Sequence, residues 1–318
     1  SGGPSAISIL KDLEDGPYRF FSADIDPYAT GLYLVPEPQR LLILRGDDPG
    51  FVEHMLELCV RLDIDVLIPT VDSELIPIAR RKAEFEALGT RLLMASRETL
   101  EVCLDKWALH ERCCGSVRVP ATSLVDSDFD PTSISLPAII KPRTGSGSRG
   151  FRPVTGAVDL DPLERDGTLL VQELLPGPEF SLDVLADSSG DIYAVVPRER
   201  LKVDSGIAIT GRTTHDPELE RFGIDVARLI GLTTVANIQV KYAAEDVPAL
   251  LEVNPRFPGT MPLTIASGVD MPRLAIDEIL GRELPPAPIP FRDIAMVRHF
   301  DEHIFDFSEV ERLKATGV

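Results

Sequence analysis

Residues 250–259, LLEVNPRFPG, limit what this chain can become more than any other stretch. Leu250, Leu251 and Val253 form a short apolar run that stops at Pro255, so the segment reads as a buried strand breaking into a loop. Glu252 and Asn254 are two positions apart, and on a strand that spacing sends both side chains to one face. A carboxylate beside a carboxamide offers hard oxygen ligands, suited to magnesium held against phosphate oxygens. Arg256 follows on the same face, a permanent fork-shaped donor for a carboxylate or phosphoryl group. Taken alone, the stretch serves equally well as a strand end capped by a turn, its three polar groups solvated.

The neighbouring pattern supplies partners for this strand. Residues 235–242 (VANIQVKY) pair with 249–254 as an antiparallel hairpin through a polar turn at 244–246, which sets Gln239 across from Glu252. Residues 179–186 (EFSLDVLA) alternate as a half-buried strand with Glu179, Ser181 and Asp183 on one face. Residues 192–200 begin another strand, ending in the charged trio Arg198, Arg200 and Lys202. The trio is either a contact for phosphate or substrate carboxylate, with Arg198 and Lys202 as the bearers, or a solvated strand end. Residues 206–213 read as a loop that moves, 218–231 as an amphipathic helix stopped by Gly231, and 263–281 as mainly helical. A proline-rich connection and an apolar-basic strand at 294–300 follow.

The first hundred residues have another rhythm. Short apolar runs at 18–24, 32–35, 41–44, 66–69 and 91–94 alternate with helical periodicity at 51–62 and 73–88, which indicates βαβ units and a parallel sheet. Gly2 and Gly3 precede a helical pattern; in such a sheet this loop follows a first strand, so the numbering is expected to begin inside a longer chain.

Between these halves, residues 138–142 (AIIKP) form an apolar strand carrying Lys141, and 143–150 read RTGSGSRG. Gly145, Gly147 and Gly150 let backbone N–H groups wrap an anion, Ser146 and Ser148 add hydroxyls, and Lys141, Arg143 and Arg149 add charge. The pattern is neither GxxxxGK[ST] nor a dinucleotide GxGxxG. A phosphate flap and a plain surface turn both accommodate it.

Composition narrows the partners. A chain of 318 residues suggests roughly two domains, and 32 basic against 51 acidic residues give a net charge of -19. That balance argues against nucleic acid or an anionic membrane as a bulk partner, and no run of apolar residues is long enough to span a bilayer. Cys59, Cys103, Cys113 and Cys114 lack metal-like spacing and read as buried free thiols in a reducing cytoplasm.

The order of these pieces carries a family likeness. Lys106 in DK, Lys141 before a glycine loop, Glu173 after LLVQ, Glu179 in GPEF, Gln239 in NIQ, and Glu252, Asn254 and Arg256 in EVNPR occur in sequence. The series resembles the ATP-grasp superfamily, above all its carbamoyl-phosphate-synthetase-like and D-alanine–D-alanine-ligase-like branches. The resemblance covers nearly the whole chain, since 64–75 (IDVLIPTVDSEL) is similar to the α/β domain that precedes the fold. It implies an N-terminal parallel α/β domain over 1–104 and a two-subdomain ATP-grasp fold over 105–318, with a lid subdomain at about 118–172 and a core at about 173–318.

It also implies roles. Lys106 and Lys141 would contact the phosphates of ATP, with Lys141 near the adenine edge, and residues 143–150 would close as a lid. Backbone around Glu173, Leu174 and Leu175 would bind adenine, and Glu179 would take the ribose hydroxyls. Glu252, Asn254 and Gln239 would hold one or two Mg2+ ions, with Mn2+ able to substitute, and Arg256 would steady an acyl phosphate. The implied activity is an ATP-dependent joining of a small-molecule carboxylate to an amine, in a cytoplasmic enzyme whose relatives are often homodimers. The rival readings are bicarbonate activation and a nucleotide-binding regulatory protein without turnover. Thr260, where many relatives carry a second glycine, departs from the pattern.

Overall fold

The computed structural model describes residues 1–145, 150–204, 206–244 and 247–315. The chain enters on helix α1 (Pro4–Leu13), led by Gly3 with a proline at the first helical position. Strand β1 (Ser22–Asp24) runs parallel to β2 (Arg40–Leu42). Helix α2 (Phe51–Leu62) follows, then β3 (Val66–Leu67), α3 (Asp72–Arg80), α4 (Lys82–Ala87) and β4 (Arg91–Leu92), the last parallel to β3. The parallel α/β reading therefore holds, with shorter strands than the apolar runs suggest. Residues 32–34 belong to a 3-10 turn (Thr30–Leu34), and only Val35 after it is extended. The helix expected over 73–88 divides at Arg81, whose backbone leaves the helical region (φ -114°, ψ 20°). Phe51, Met55, Leu58 and Cys59 of α2 pack with Ile43, Ile78, Phe85 and Leu92 as this unit's core.

Helices α5 (Arg97–Cys103) and α6 (Lys106–Cys113) lead into a four-stranded antiparallel sheet. Its strands are β5 (Thr122–Leu124), β6 (Ala138–Pro142), β7 (Arg152–Val154) and β8 (Leu169–Glu173), in the order β5-β8-β6-β7. Val125, Ala138, Ile140, Val154, Leu160 and Val171 close the core under it.

The largest sheet has six antiparallel strands. Along the chain come β9 (Glu179–Ala186), β10 (Ile192–Asp204), β11 (Ile207–Thr213), helix α7 (Pro217–Leu229), β12 (Val235–Tyr242), β13 (Pro248–Asn254), helices α8 (Met261–Ser267) and α9 (Met271–Ile279), β14 (Ala295–Val297) and helix α10 (Phe307–Ala315). The strand order is β13-β12-β9-β10-β11-β14. Residues 207–213, expected as a loop, are strand β11, paired on both sides by β10 and β14. The β-branched residues Ile207, Ile209 and Thr210 suit that pleated position.

The two faces of this sheet differ. Phe180, Leu182, Val184, Val195, Ala236, Ile238 and Val240 pack against Leu219, Phe222 and Val226 of α7. Gly223 lets α7 come this close, since a Cβ there would lie 2.6 Å from Val195 Cγ1. The opposite face changes character along the strands. At one end Leu185, Ala194, Val196 and Val235 join Met261, Met271 and Ile276 in a second apolar core. Further along, the same face turns polar: Asp183, Ser181 and Glu179 on β9, and Asn237 and Gln239 on β12. The N-terminal unit docks nearby, with Ser5 Oγ donating to the Phe257 carbonyl at 2.7 Å and Arg91 Nη1 to that of Ile279 at 2.9 Å.

Candidate active site

Register builds the site. Gln239 sits directly opposite Glu252, and Asn237 opposite Asn254, so the expected hairpin does set Gln239 against Glu252. Asn254 Nδ2 lies 3.4 Å from Glu252 Oε1. One carboxylate and two amides on adjacent strands make a hard-oxygen donor set that fits a magnesium ion sharing its remaining positions with phosphate and water. Among the described residues no three His, Cys, Asp or Glu side chains gather as a stand-alone metal site.

Two buried lysines face this set. Lys141 is 3% exposed and donates to Gln172 Oε1 at 2.7 Å; Gln172 in turn donates to Thr122 Oγ1 at 2.9 Å. Burial pushes the Lys141 ammonium down to about 8, with Lys106 adding to the fall and Glu252 opposing it. Lys106, on α6, donates to the Gly145 carbonyl at 2.6 Å. Burial lowers its pKa too, against the attraction of Glu252, Asp72 and Asp105. Lys106, Lys141 and Glu252 therefore converge, although they come from a helix and two different sheets.

Asp105 caps α6 by accepting from the N–H groups of Trp107 and Ala108. It also accepts from Arg143 Nε at 2.9 Å, and the Lys106 N–H donates to the Arg143 carbonyl at 3.0 Å. Arg143, expected to reach phosphate, is thus tied to the start of α6. Gly145 and Gly150 both take positive φ, the freedom expected of a loop that bends around an anion. Ser146, Gly147, Ser148 and Arg149 lie outside the described residues.

On the opposite flank, Arg256 Nε donates to Asp72 Oδ1 at 2.6 Å, reaching from the loop after β13 to the first turn of α3. Arg200 is nearly buried. Its Nε lies 2.9 Å from Glu179 Oε1, an ion pair whose angle falls outside hydrogen-bond geometry. Its other nitrogens donate to Ser181 Oγ at 3.4 Å and to the Gly206 carbonyl at 3.0 Å. Burial works against the Arg200 charge, and Glu179 and Glu252 support it. Glu179 is thereby paired within the protein. Glu173 takes Arg118 on both carboxylate oxygens, at 3.1 and 3.2 Å. The Leu174 N–H donates to the Pro137 carbonyl at 3.1 Å, which removes that donor from the group expected to meet adenine; the Leu175 side chain is buried.

Residues 6–93 match the family described as PylC-like, N-terminal domain, and residues 165–302 match ATP-grasp in the biosynthetic pathway with Ter operon. The carbamoyl phosphate synthase large chain of Xylella fastidiosa is 26% identical over 293 residues, 83% of this chain but 27% of that one. Biotin carboxylase from Campylobacter jejuni superposes with a TM-score of 0.70 at 17% identity, covering 89% of this chain and 70% of that one. N5-carboxyaminoimidazole ribonucleotide synthetase from Thermus thermophilus gives 0.71 at 19%, covering 93% and 81%. The chain thus carries a PylC-like N-terminal domain followed by an ATP-grasp domain. It spans about a quarter of the carbamoyl phosphate synthase chain it matches.

Two of the residues expected in this ATP-grasp site stand elsewhere. Arg198 is 2% exposed and gives both Nε and Nη2 to Asp183, at 2.8 and 2.6 Å; its Nη1 donates to Thr260 Oγ1. Asn237 and Thr264 fill out the same carboxylate. With its donors spent on protein partners, Arg198 is a buried tie between strands and not a substrate contact. Thr260, the departure from the family pattern, is part of that tie. Lys202 is exposed, as are its neighbours Leu201, Val203 and Asp204, and a β-bulge shifts its register: Arg200 pairs with Gly211 but Lys202 with Thr210. Adjacent partners face opposite ways, so Lys202 leaves the face that Arg200 occupies. Arg200, passed over in the sequence, is the trio member that meets the site. Cys114 likewise is exposed, not buried. Asp72 and Asp105 were legible only as helix-start residues.

Proposed function

We propose that this ATP-grasp chain is an ATP- and Mg2+-dependent ligase that activates a small-molecule carboxylate as an acyl phosphate and joins it to an amine. The observation that carries the reading is that Lys106, Lys141 and Arg200 all feel the charge of Glu252, which has Gln239 opposite it and Asn254 beside it. Cations and oxygen ligands suit phosphoryl transfer, which is mostly positioning and charge neutralisation. Lys141 and Lys106 bind and orient the phosphates. Glu252, Asn254 and Gln239 hold the metal, Mg2+ or Mn2+, which neutralises the charge developing on the transferred group when bound. Arg256 holds the activated carboxylate in place for the amine. The assembly fitting this reading is a homodimer in the cytoplasm; one solved neighbour, a 2-oxoglutarate carboxylase domain of Hydrogenobacter thermophilus, is a dimer. No helix among the described residues is long and apolar enough to cross a membrane.

The test is ADP release from Mg-ATP across pools of carboxylates, each with and without an amine pool. ADP formed only when both are present supports the ligase. The likeness to carbamoyl phosphate synthase and biotin carboxylase favours one second reading, bicarbonate activation, which predicts ADP with bicarbonate alone. ATP binding without ADP from any mixture would sink both and leave a regulatory nucleotide-binding protein.

A further inference from the structure

The contact between Arg256 and Asp72 joins residues 184 positions apart. Arg256 lies on the loop after β13, whereas Asp72 opens α3 in the N-terminal α/β unit. We propose that Asp72 is a positioning residue: it aims the Arg256 guanidinium at the reacting carboxylate, so the N-terminal unit completes the site. The inference rests on the ligase reading only for what Arg256 is aimed at.

Geometry carries it. A guanidinium has five donors in a fixed plane, and holding one edge fixes the direction of the rest. Asp72 takes Nε at 2.6 Å, while the Phe257 carbonyl lies 3.4 Å from Nη1. Among the described contacts Nη2 meets no acceptor, so that end of the fork is left for a ligand. The loop itself is held from a second side, because Ser5 Oγ of α1 donates to the Phe257 carbonyl at 2.7 Å. Both anchors belong to the N-terminal unit. Asp72 also supports the charge of Lys106, so its carboxylate acts on a second cation besides Arg256. A role through Arg256 explains why a carboxylate stands there: it fixes a side chain whose long stem would otherwise sample many rotamers.

Two measurements test this on the full chain. The first is 15N side-chain NMR of the Arg256 Nε–H, assigned by its loss in Arg256→Lys. A protected resonance in the wild type, retained in Asp72→Asn and lost into the exposed-arginine envelope in Asp72→Ala, is the expected result. The same resonance in Asp72→Ala as in the wild type overturns the proposal. The second is a double-mutant cycle on ADP release at saturating Mg-ATP. Asp72→Ala should lower the rate about 10²-fold, the scale of a displaced catalytic group. In an Arg256→Ala background it should add nothing. Additive losses would mean that Asp72 acts through something other than Arg256, and the proposal fails. If Arg256→Ala itself keeps full turnover, the role given to Arg256 in the ligase reading fails, and the NMR result alone decides whether Asp72 orients it. A fold defect in Asp72→Ala is recognised by its absence in Asp72→Asn, whose Oδ1 still accepts the bond.

Discussion

One face of the six-stranded sheet carries two charged clusters that differ in a single respect. Around Asp183, every strong donor has its acceptor: Arg198, Asn237 and Thr264 converge on one carboxylate in the interior. Around Glu252, the cations outrun their partners. Among the described residues Lys141 has only the neutral Gln172 within hydrogen-bond reach, and Lys106 only a backbone carbonyl. Burial pulls both lysines toward losing their protons. A saturated buried ion pair is structure, whereas buried like charges without full compensation are a cost that a polyanionic ligand removes. The same residue types, two rows apart on one sheet, thus serve opposite ends.

The largest effect should come from the unsaturated cluster. Glu252→Ala is expected to cut ADP formation about 10³-fold or more by removing the one carboxylate of the metal set. Its thermal midpoint should stay close to that of the wild type, measured by calorimetry. A variant that kept its turnover would end the assignment. Asp183→Ala should show the reverse pattern. Leaving Arg198 buried without its partner costs about 3–5 kcal/mol, so the midpoint should drop by roughly 10 °C. If Asp183→Ala melts like the wild type, the contrast between the clusters collapses.

Lys141 sharpens the comparison through pH. Its ammonium, depressed to about 8, is charged below that pH and neutral above it. Nucleotide affinity measured by calorimetry should therefore fall about tenfold between pH 7 and pH 9, as the charge that meets phosphate is lost. The stability sign is opposite to that of a paired lysine. Its folded pKa lies below the unfolded one, so the cost of holding the charge is present in full below pH 8 and fades as pH rises toward the unfolded value. Lys141→Met should consequently abolish ATP binding while melting no lower than the wild type. A clear loss of stability at pH 7 would show that the bond to Gln172 outweighs the desolvation.

What the sequence disclosed follows the reach of its interactions. The nearness of Gln239 to Glu252 was legible because their strands are consecutive in the chain and joined by a short turn, although their direct pairing depends on a register shift between Gln239 and Val240 that counting from the turn would miss. The glycine loop and the lysine before it were legible because their chemistry lies in consecutive residues. Arg198 misled because its partner Asp183 sits on the neighbouring strand, and nothing local distinguishes an arginine that finds a buried carboxylate from one that meets solvent. Asp72 was hidden for a stronger reason: its target is contributed by a loop at the far end of the chain. The loop expected at residues 206–213 proved a strand because β14, a three-residue segment near the end of the chain, pairs with its outer edge.

The smallest effect is the most discriminating. Arg200 and Lys202 stand two apart, and plain alternation would put both on the site face. The register shifts between Arg200 and Lys202, however, so only Arg200 remains there, beside Glu179 and within the attraction of Glu252. Lys202→Ala should change ADP formation by less than about twofold, in keeping with an exposed surface position. Arg200→Ala should lower it by about 10²-fold through loss of a buried cation near the transferred charge. Equal losses in the two variants would mean that the hairpin of β10 and β11 straightens its bulge when nucleotide binds and returns Lys202 to the site. Hydrogen exchange at residues 200–203, with and without a nonhydrolysable ATP analogue, separates that outcome from a static site, because straightening the bulge re-pairs amides that the shifted register leaves unpaired.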